Sequence, residues 1–219
     1  MHQNPSFWEF FNSKAAPQLG VREETFRKIF EILDRKSGPL TIVETGCARV
    51  SDNWAGDGQS TVLIDKYINS RDADSRLYSV DLSQEAVSYA ENSVSNRSKI
   101  HLGDSVQFLQ NFSAMLSQQN RSIDFLYLDS FDLDWRYWFP SAAHHLKELC
   151  AVMRVINKDS LVVVDDCALT ANLVPTSNNS FALIQAPMVG GKGRLVAEYA
   201  EAVGAKLEFS GYQAGWTGF

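Results

Sequence analysis

The sequence lacks the long apolar run and the excess of basic residues that define two large classes of protein. No uninterrupted apolar stretch approaches the roughly 20 residues that a membrane-spanning helix needs. Asp and Glu outnumber Lys and Arg by 26 to 20, and the resulting net charge of −6 disfavours binding to nucleic-acid phosphates. We therefore expect no nucleic-acid partner and no membrane partner.

Cysteine is also scarce. Cys47, Cys150 and Cys167 are odd in number and lie far apart, so they match neither zinc-ligand spacing nor a disulfide framework. The first residues lack the basic and apolar regions of a signal peptide. These features predict a reducing, cytoplasmic setting. A chain of 219 residues is long enough for a single domain and allows a homodimer.

Two phosphate-binding motifs are absent as well, since the chain contains neither GxGxxG nor GxxxxGK[ST]. Residues 190–194 read Gly-Gly-Lys-Gly-Arg, but no buried strand clearly precedes them and the serine or threonine is missing. We therefore expect no nucleoside-triphosphate site there. Lys192 or Arg194 could instead meet an anionic group of a substrate.

What the sequence does contain is an alternation of short apolar runs and helix-like segments. The predicted strands are Leu40–Val43, Arg76–Leu82, Lys99–Gly103, Ile123–Leu128 and Ser160–Val164. The predicted helices between them are Thr61–Ile68, Gln84–Val94, Val106–Leu116 and Pro140–Ile156, the first two capped by Ser60 and Ser83. This alternation predicts an α/β fold, with a single doubly wound, mostly parallel, Rossmann-like sheet.

The segments outside this alternation complete one predicted domain. Residues 1–38 form a helical cap with an amphipathic helix, residues 39–167 form the core, and residues 192–219 form a final helix and strand. Residues 168–191 have no clear pattern and predict a long loop. Loops of this length are often lids, so we expect this one to close over the site with the aromatic segment 7–11.

A carboxylate follows every predicted strand of the core. These residues are Glu44, Asp81, Asp104, Asp129 and the pair Asp165 and Asp166. Ligands of α/β sheets bind at the carboxyl ends of the strands, where an acid after the second strand can accept both hydroxyls of a ribose. Asp104 would cap the following helix, and its position also resembles the one that contacts adenine in methyltransferases, so that the residue could do both.

The ordered set of motifs resembles the class I S-adenosylmethionine-dependent methyltransferases. It comprises acid-x-Gly after strand one, Asp after strand two, Asp-Ser after strand three and Asp after strand four. The resemblance implies S-adenosylmethionine as cofactor, with Glu44 facing its amino-acid end. The implied cofactor-binding residues are Glu44, Thr45, Gly46, Gly58, Ser60, Thr61, Asp81, Leu82, Asp104, Ser105 and Asp129. Residues 47–57 are an insertion relative to the short glycine-rich form of the motif.

The segments LYLDSFD and VVVDD resemble metal-dependent O-methyltransferases. Three converging carboxylates, Asp129, Asp165 and Asp166, repel one another at neutral pH unless they are protonated or a cation neutralises them. No lysine or arginine lies near them in sequence, and the alternative to a cation is a counterion from elsewhere in the fold, with Arg136 or Lys147 as the candidate. Oxygen ligands suit Mg²⁺, Ca²⁺ or Mn²⁺, and the resemblance implies that such an ion binds the acceptor oxygens and activates a hydroxyl.

Three residues are candidates for catalysis: Asp129, His144 and His145. A histidine at the carboxyl edge could act as general base, because its pKa lies near working pH. Adjacent helical positions point about 100° apart, so only one of the two histidines should face the sheet.

The sequence therefore predicts methyl transfer to a hydroxyl oxygen of a small molecule, assisted by a divalent cation. LDSFD replaces the Asn-Pro-Pro-Tyr type of motif found in nucleic-acid amino methyltransferases, which favours an oxygen acceptor. Two alternatives remain open at this stage: a nicotinamide-dependent oxidoreductase and a non-catalytic protein that binds S-adenosylmethionine.

Overall fold

A computed structural model describes residues 4–134, 136–169, 172–184 and 188–219. The strands are β1 (Thr41–Thr45), β2 (Arg76–Asp81), β3 (Ser98–Leu102), β4 (Phe125–Leu128), β5 (Leu161–Val164), β6 (Ala168–Leu169), β7 (Asn172–Pro175), β8 (Phe181–Ile184), β9 (Met188–Val189), β10 (Lys206–Ser210) and β11 (Ala214–Thr217). The α-helices are α1 (Pro5–Phe10), α2 (Glu23–Asp34), α3 (Trp54–Asp57), α4 (Ser60–Asn69), α5 (Gln84–Ser93), α6 (Ser105–Gln118), α7 (Phe139–Val152) and α8 (Arg194–Val203). A π-helical segment, Phe11–Ala15, and short 3₁₀ segments at Ala16–Gln18, Gly20–Arg22, Met153–Val155 and Gly191–Gly193 complete the helical structure.

The central sheet has seven strands in the order β3-β2-β1-β4-β5-β11-β10. The five core strands run parallel, whereas β11 is antiparallel to both β5 and β10. The predicted fold class is confirmed, and so is the predicted pairing of strands four and five. Successive strands are added on one side of β1 up to β3 and then on the other side from β4. The carboxyl ends of β1 and β4 therefore flank the switch point at which ligands bind in such sheets.

Alternating side chains of the strands bury the two faces of this sheet. Ile42 and Val163 belong to a core with α2 and α4, whereas Val43 and Val162 belong to a core with α6, α7 and α8. Because both faces are covered, the core strands consist of nearly continuous apolar runs, as expected for a buried parallel sheet.

The aromatic N-terminal segment belongs to the first of these cores. Phe7 and Phe11 are buried, and Trp8 Nε1 donates a hydrogen bond to Asp34 Oδ2 over 2.7 Å. The rings of Phe7 and Phe30 are 4.5 Å apart. This segment is therefore a structural layer on the sheet, and the prediction that it closes over the site as a lid is wrong.

The predicted loop 168–191 contains strands. β6 pairs with β9 and β7 pairs with β8, so two short antiparallel ladders follow β5. Residues 170–171 and 185–187 of the predicted loop lie outside the described residues. Whether the segment acts as a lid stays a prediction.

Local predictions fail where tertiary contacts intervene. Ser83 caps α5 as predicted, since its Oγ accepts from Ala86 N over 3.2 Å. Ser60 does not cap α4 but is its first residue. One strand was predicted after the final helix, but the chain forms two there, and the second, Ala214–Thr217, lies between β5 and β10.

In the described part of the chain, no helix combines the length and the apolar character needed to cross a bilayer.

Replacing Phe7 with alanine should lower the free energy of unfolding by about 3–5 kcal/mol, as for other buried phenylalanines. The side chain is 2% exposed. Urea unfolding followed by circular dichroism measures the change. The matched control Phe181→Ala, at a residue that is 67% exposed, should stay within about 0.5 kcal/mol of the original protein. A loss for Phe7→Ala as small as the control's would show that the segment is not part of the core.

Candidate active site

Two cavities at the carboxyl edge of the sheet share Asp81 and Ser130 in their walls. The Gly46 cavity is lined by Gly46, Cys47, Ala48, Arg49, Asp57, Ser60, Asp81, Asp129, Ser130 and Asp132. The Leu82 cavity is lined by Val80, Asp81, Leu82, Gly103, Ser105, Ser130, Phe131 and His144. We call the two together the carboxyl-edge cleft. It lies beside the ends of β1, β2, β3 and β4, where the sequence placed the binding residues.

Gly46 brings the ends of β1 and β4 together. Its φ of +79° lies in the left-handed region, and its N–H donates to Val80 O over 2.8 Å. A Cβ at this position would lie 2.4 Å from the carbonyl oxygen of Asp129. Only glycine fits without displacing the backbone, so this residue sets the width of the cleft.

Glu44 has a different role from the predicted one. It is fully buried, and its carboxylate accepts hydrogen bonds from Ser60 Oγ (2.6 Å), Thr61 Oγ1 (2.7 Å) and Ser79 Oγ (2.6 Å). The carboxylate therefore ties β1 to β2 and α4 and does not face the cleft. The contact of Glu44 with the cofactor's amino-acid end stays a prediction, and three hydroxyls of the protein already surround the carboxylate.

Three further predicted cofactor residues, Thr45, Gly58 and Thr61, contact other parts of the protein and are not among the residues that line the cleft. Thr61 Oγ1 accepts a hydrogen bond from Ala48 N over 2.8 Å, and buried Thr45 donates to Glu148 Oε2 over 3.1 Å. Gly58, with a φ of +69°, packs so closely that a Cβ would lie 2.8 Å from Arg22 Cδ. These three residues make contacts within the protein, and their contact with a cofactor stays a prediction, whereas Ser60 lines the Gly46 cavity.

Asp81 occupies the position expected of a ribose-binding acid. Its Oδ2 accepts from Cys47 N over 3.1 Å and its Oδ1 from Ser83 N over 2.8 Å. These two bonds fix the carboxylate at the junction of the two cavities. Each oxygen retains a further lone pair for a ligand hydroxyl.

The Asp-Ser pair at the end of β3 consists of a helix cap, Asp104, and a residue of the cavity wall, Ser105. Asp104 Oδ1 accepts from Gln107 N over 2.8 Å and thus caps α6, while its side chain is exposed. Ser105 and Leu82 line the Leu82 cavity, and Leu82 is 73% exposed. The predicted cap of α6 by Asp104 is therefore confirmed. The wall of the Leu82 cavity at the end of β3 includes Gly103 and Ser105.

The two histidines differ as expected for adjacent helical positions. His144 lines the Leu82 cavity, and its Nε2 lies 3.0 Å from Ser105 Oγ and 3.3 Å from Glu148 Oε1. Burial would raise the pKa of Glu148, but hydrogen bonding from His144 and its neighbours holds that pKa below its usual value. These contacts give His144 a structural role beside the cavity.

His145 is fully buried and cannot act as the predicted general base. Its Nδ1–H donates to Ser141 O over 2.7 Å, and its Nε2 is buried without a hydrogen-bond partner among the described residues. Burial is the largest cause that lowers the pKa of His145, to about 4. The residue is a neutral core histidine.

The three carboxylates predicted to converge do so. Carboxylate oxygens of Asp129, Asp165 and Asp166 all lie within 4.8 Å of one another. The pairing of Leu128 with Val164 places the ends of β4 and β5 side by side, which brings Asp129 next to Asp165. We call these residues the aspartate cluster.

Two basic side chains already neutralise the aspartate cluster. Lys192 Nζ contacts Asp129 Oδ1 and lies 3.0 Å from Asp166 Oδ2, and Lys192 is 2% exposed. Arg22 Nε lies 3.3 Å from Asp165 Oδ2, while its guanidinium stacks over the ring of Tyr212 at 4.3 Å. The basic partners therefore come from elsewhere in the fold, as the sequence left open, but they are Lys192 and Arg22 and not the candidates Arg136 or Lys147.

The glycines around Lys192 explain how it reaches the aspartate cluster. Gly191 has a φ of +48°, and a Cβ there would lie 2.0 Å from Asp166 O. A Cβ on Gly193 would lie 2.4 Å from Cys167 Sγ, and Lys192 N donates to Asp166 O over 3.2 Å. The Gly-Gly-Lys-Gly sequence is thus a turn that lies flat against the end of β5. It is not a phosphate loop.

The aspartate cluster fits a divalent cation poorly. Mg²⁺ and Ca²⁺ need six or more oxygen ligands around one point. The Lys192 ammonium already contacts two of the three carboxylates, and Arg22 contacts the third. The divalent cation stays a prediction, and we derive no step of the reaction through it.

Several residues of the site were missed by sequence reasoning. Arg22 carries no local signal, because it precedes an ordinary amphipathic helix. Lys192 did carry one, since three glycines surround it, but the pattern indicated an anionic substrate group and not the protein's own carboxylates. Arg194 instead pairs with Glu198 on the surface of α8.

Comparison with known families gives the class of protein to which the chain belongs. A family described as a methyltransferase domain matches residues 55–167, just over half of the chain. The chain therefore belongs to this methyltransferase-domain family, and it is a class I S-adenosylmethionine-dependent methyltransferase. No protein of curated function matches the sequence.

Two solved structures illustrate the fold. A protein of Klebsiella pneumoniae, provisionally named an O-methyltransferase, is 14% identical with a TM-score of 0.51, and the alignment covers 100% of this chain and 92% of that one. The cofactor-bound protein Rv0187 from MTB is 12% identical with a TM-score of 0.52, and the alignment covers 98% and 90% of the two chains. At these identities the similarity shows a shared fold.

Because the pKa of buried Glu44 is raised, the free energy of unfolding should decrease as pH rises. Burial is the largest cause that raises its pKa, from 4.5 to about 7, even though three hydroxyls hydrogen-bond to it. Because the folded state binds this proton more tightly, the stabilisation is complete below the unfolded pKa and is lost as pH rises through the folded pKa. Relative to Glu44→Gln, the original protein should lose about 2–3 kcal/mol of unfolding free energy between about pH 5 and pH 8.

Urea unfolding at several pH values measures this difference. Glu148→Gln is the control, because the pKa of Glu148 is lowered and the group titrates below this range. Its difference from the original protein should be nearly constant over the same pH values. A constant difference for Glu44→Gln as well would contradict the raised pKa.

Proposed function

We propose that the protein transfers the methyl group of S-adenosylmethionine to a hydroxyl oxygen of a small molecule. The observation that carries the proposal is the position of Asp81, whose carboxylate is fixed at the junction of two cavities at the switch point of the sheet. An acid at this place suits the two hydroxyls of a ribose. The family to which the chain belongs provides the reaction class.

The Leu82 cavity suits the adenine of the cofactor. Leu82 offers an exposed apolar side chain on one side, and Phe131 and Ser105 stand in the same wall. An apolar wall with a few polar groups is the usual environment of a bound base. The adenine would thus lie beside β3, and the ribose would reach Asp81.

The Gly46 cavity suits the cationic methionine end. Asp57, Asp129 and Asp132 stand in its wall with a single basic residue, Arg49. Asp57 Oδ2 is buried and has no hydrogen-bond partner among the described residues, so a ligand ammonium could provide one. We propose that Asp57 takes the place that the sequence assigned to Glu44.

Among the three predicted catalytic residues, we propose Asp129 as the group that accepts the proton of the acceptor hydroxyl. Its carboxylate lines the Gly46 cavity, whereas His145 is buried away from it. In the transfer, an acceptor oxygen forms a bond to the methyl carbon as the carbon–sulfur bond breaks, and the sulfur keeps the bonding electrons. We propose that the hydroxyl proton leaves to Asp129. Alignment of the oxygen, carbon and sulfur atoms then provides most of the acceleration.

A small acceptor in the cytoplasm suits the charge of the chain. The net charge of −6 disfavours nucleic acid, and Cys47, Cys150 and Cys167 are free thiols. LDSFD in place of an amino-methyltransferase motif supports an oxygen acceptor. Homodimer formation stays a prediction.

Asp81→Asn should weaken binding of S-adenosylhomocysteine by about 1.5–3 kcal/mol, the scale of hydrogen bonds to a charged group. This corresponds to about 10- to 150-fold in Kd and is measured by isothermal titration calorimetry. Asp104→Asn is the matched control, because Asp104 caps α6 and asparagine is also a good cap. Equal affinities in the original protein and Asp81→Asn would exclude the ribose contact.

The acceptor class is tested by incubating the protein with S-adenosylmethionine and matched pairs of hydroxylated and aminated small molecules. We expect mass spectrometry to detect a methyl group on hydroxylated members only. Methylation of the amines alone would contradict the oxygen acceptor. Tight S-adenosylhomocysteine binding without any turnover would favour a non-catalytic binding protein, and NAD binding without S-adenosylhomocysteine binding would favour an oxidoreductase.

A further inference from the structure

We propose that Lys192 takes the place of a divalent cation at the aspartate cluster, so that the protein neither binds nor requires a metal ion there. The consequence for methyl transfer rests on the proposed function, whereas the metal-binding property does not. Lys192 is then a positioning residue, since it holds Asp129 and not the acceptor itself.

Geometry is the first reason. Lys192 Nζ contacts Asp129 Oδ1 and lies 3.0 Å from Asp166 Oδ2, and these two residues come from different strand ends. A metal ion that joined the cluster would need oxygen atoms of both carboxylates within about 2.0–2.6 Å. It would therefore compete with the ammonium for the same space.

Charge is the second reason. The three carboxylates carry a formal charge of −3, and Lys192 and Arg22 contribute +2. Arg22 contacts Asp165 at 3.3 Å and Asp166 at 3.7 Å, so each member of the cluster has a basic partner. A divalent ion would face two fixed positive charges at close range, which oppose its entry.

Immobility is the third reason. Lys192 is 2% exposed, and its backbone is pressed against β5, since any side chain on Gly191 would collide with Asp166 O. The ammonium is thus fixed between Asp129 and Asp166, unlike a surface lysine that a metal ion could displace into water.

One feature of the aspartate cluster favours an additional ligand. Asp165 Oδ1 is buried and has no hydrogen-bond partner among the described residues. A single free oxygen is much less than the six ligands that Mg²⁺ requires. It is, however, a suitable acceptor for one hydroxyl or one water molecule.

Titration of the full-length protein with Mn²⁺ alone, followed by electron paramagnetic resonance, tests the proposal. We expect no bound Mn²⁺ up to the 10⁻⁴–10⁻³ M range, about the weakest range in which proteins use divalent-ion sites. Stoichiometric binding that Asp129→Asn abolishes would overturn the proposal. S-adenosylhomocysteine binding, measured on the same samples, reports on the proposed function independently.

Lys192→Ala provides the converse test, because it leaves three carboxylates with one basic partner. We expect this variant to gain a Mn²⁺ site, with affinity at least about tenfold above that of the original protein, as Asp129 Oδ1 and Asp166 Oδ2 become free beside Asp165 Oδ1, which is unpartnered in the described part of the chain. Arg194→Ala removes a nearby surface charge paired with Glu198 and should gain nothing. A folded Lys192→Ala variant without Mn²⁺ affinity would contradict the proposal, and if the variant does not fold, titration of the original protein decides.

Activity gives a third measurement once an acceptor is known. Methyl transfer by the original protein should be unchanged in excess chelator, whereas folded Lys192→Ala should require added Mn²⁺. Loss of the original protein's activity in chelator, restored by a divalent ion, would overturn the metal-independent reaction while leaving the methyltransferase function intact.

Discussion

The carboxyl edge of the sheet depends on the mutual neutralisation of five charged side chains. Asp129, Asp165 and Asp166 end two neighbouring strands, and Lys192 and Arg22 reach them from the C-terminal and N-terminal parts of the chain. Removing one partner from a buried ion pair typically costs 3–5 kcal/mol, because the other charge is left without compensation. Docking of the N-terminal helices and of the turn before α8 is therefore coupled to the formation of the cleft. The parts of the chain outside the sheet's core thus hold the site together.

A second buried acid organises the other wall of the cleft. Glu44 holds hydroxyls from α4 and β2, namely Ser60, Thr61 and Ser79, and so fixes the loop after β1. This acid is thereby bonded within the protein, whereas Asp57 and Asp81 line the Gly46 cavity and are the acids that the proposed function assigns to the ligand.

The sequence predicted the parts of the fold that depend on local patterns. Apolar periodicity located all five parallel strands, and strand-end acids located the edge with the cleft. β11 was missed because Gly215 gives it a weak strand pattern, and its pairing with β5 and β10 is tertiary. Ser60 was misassigned as a cap because its partner, Glu44, lies on another element. Lys192 was not assigned to Asp129 because no local rule links two side chains 63 positions apart.

The aspartate cluster requires positive charge, but this requirement alone does not show whether a metal ion or a basic side chain provides it. A divalent ion brings open coordination positions, which favour acceptors that offer two adjacent oxygens. A lysine brings a compact charge with three donors and no such positions. With the Lys192 donors directed at Asp129 and Asp166, recognition of an acceptor has to come from the walls of the cleft, including Ser130 and Phe131. Under the proposed function, an acceptor would thus be selected by shape and hydrogen bonding and not by chelation, and a single hydroxyl would be sufficient.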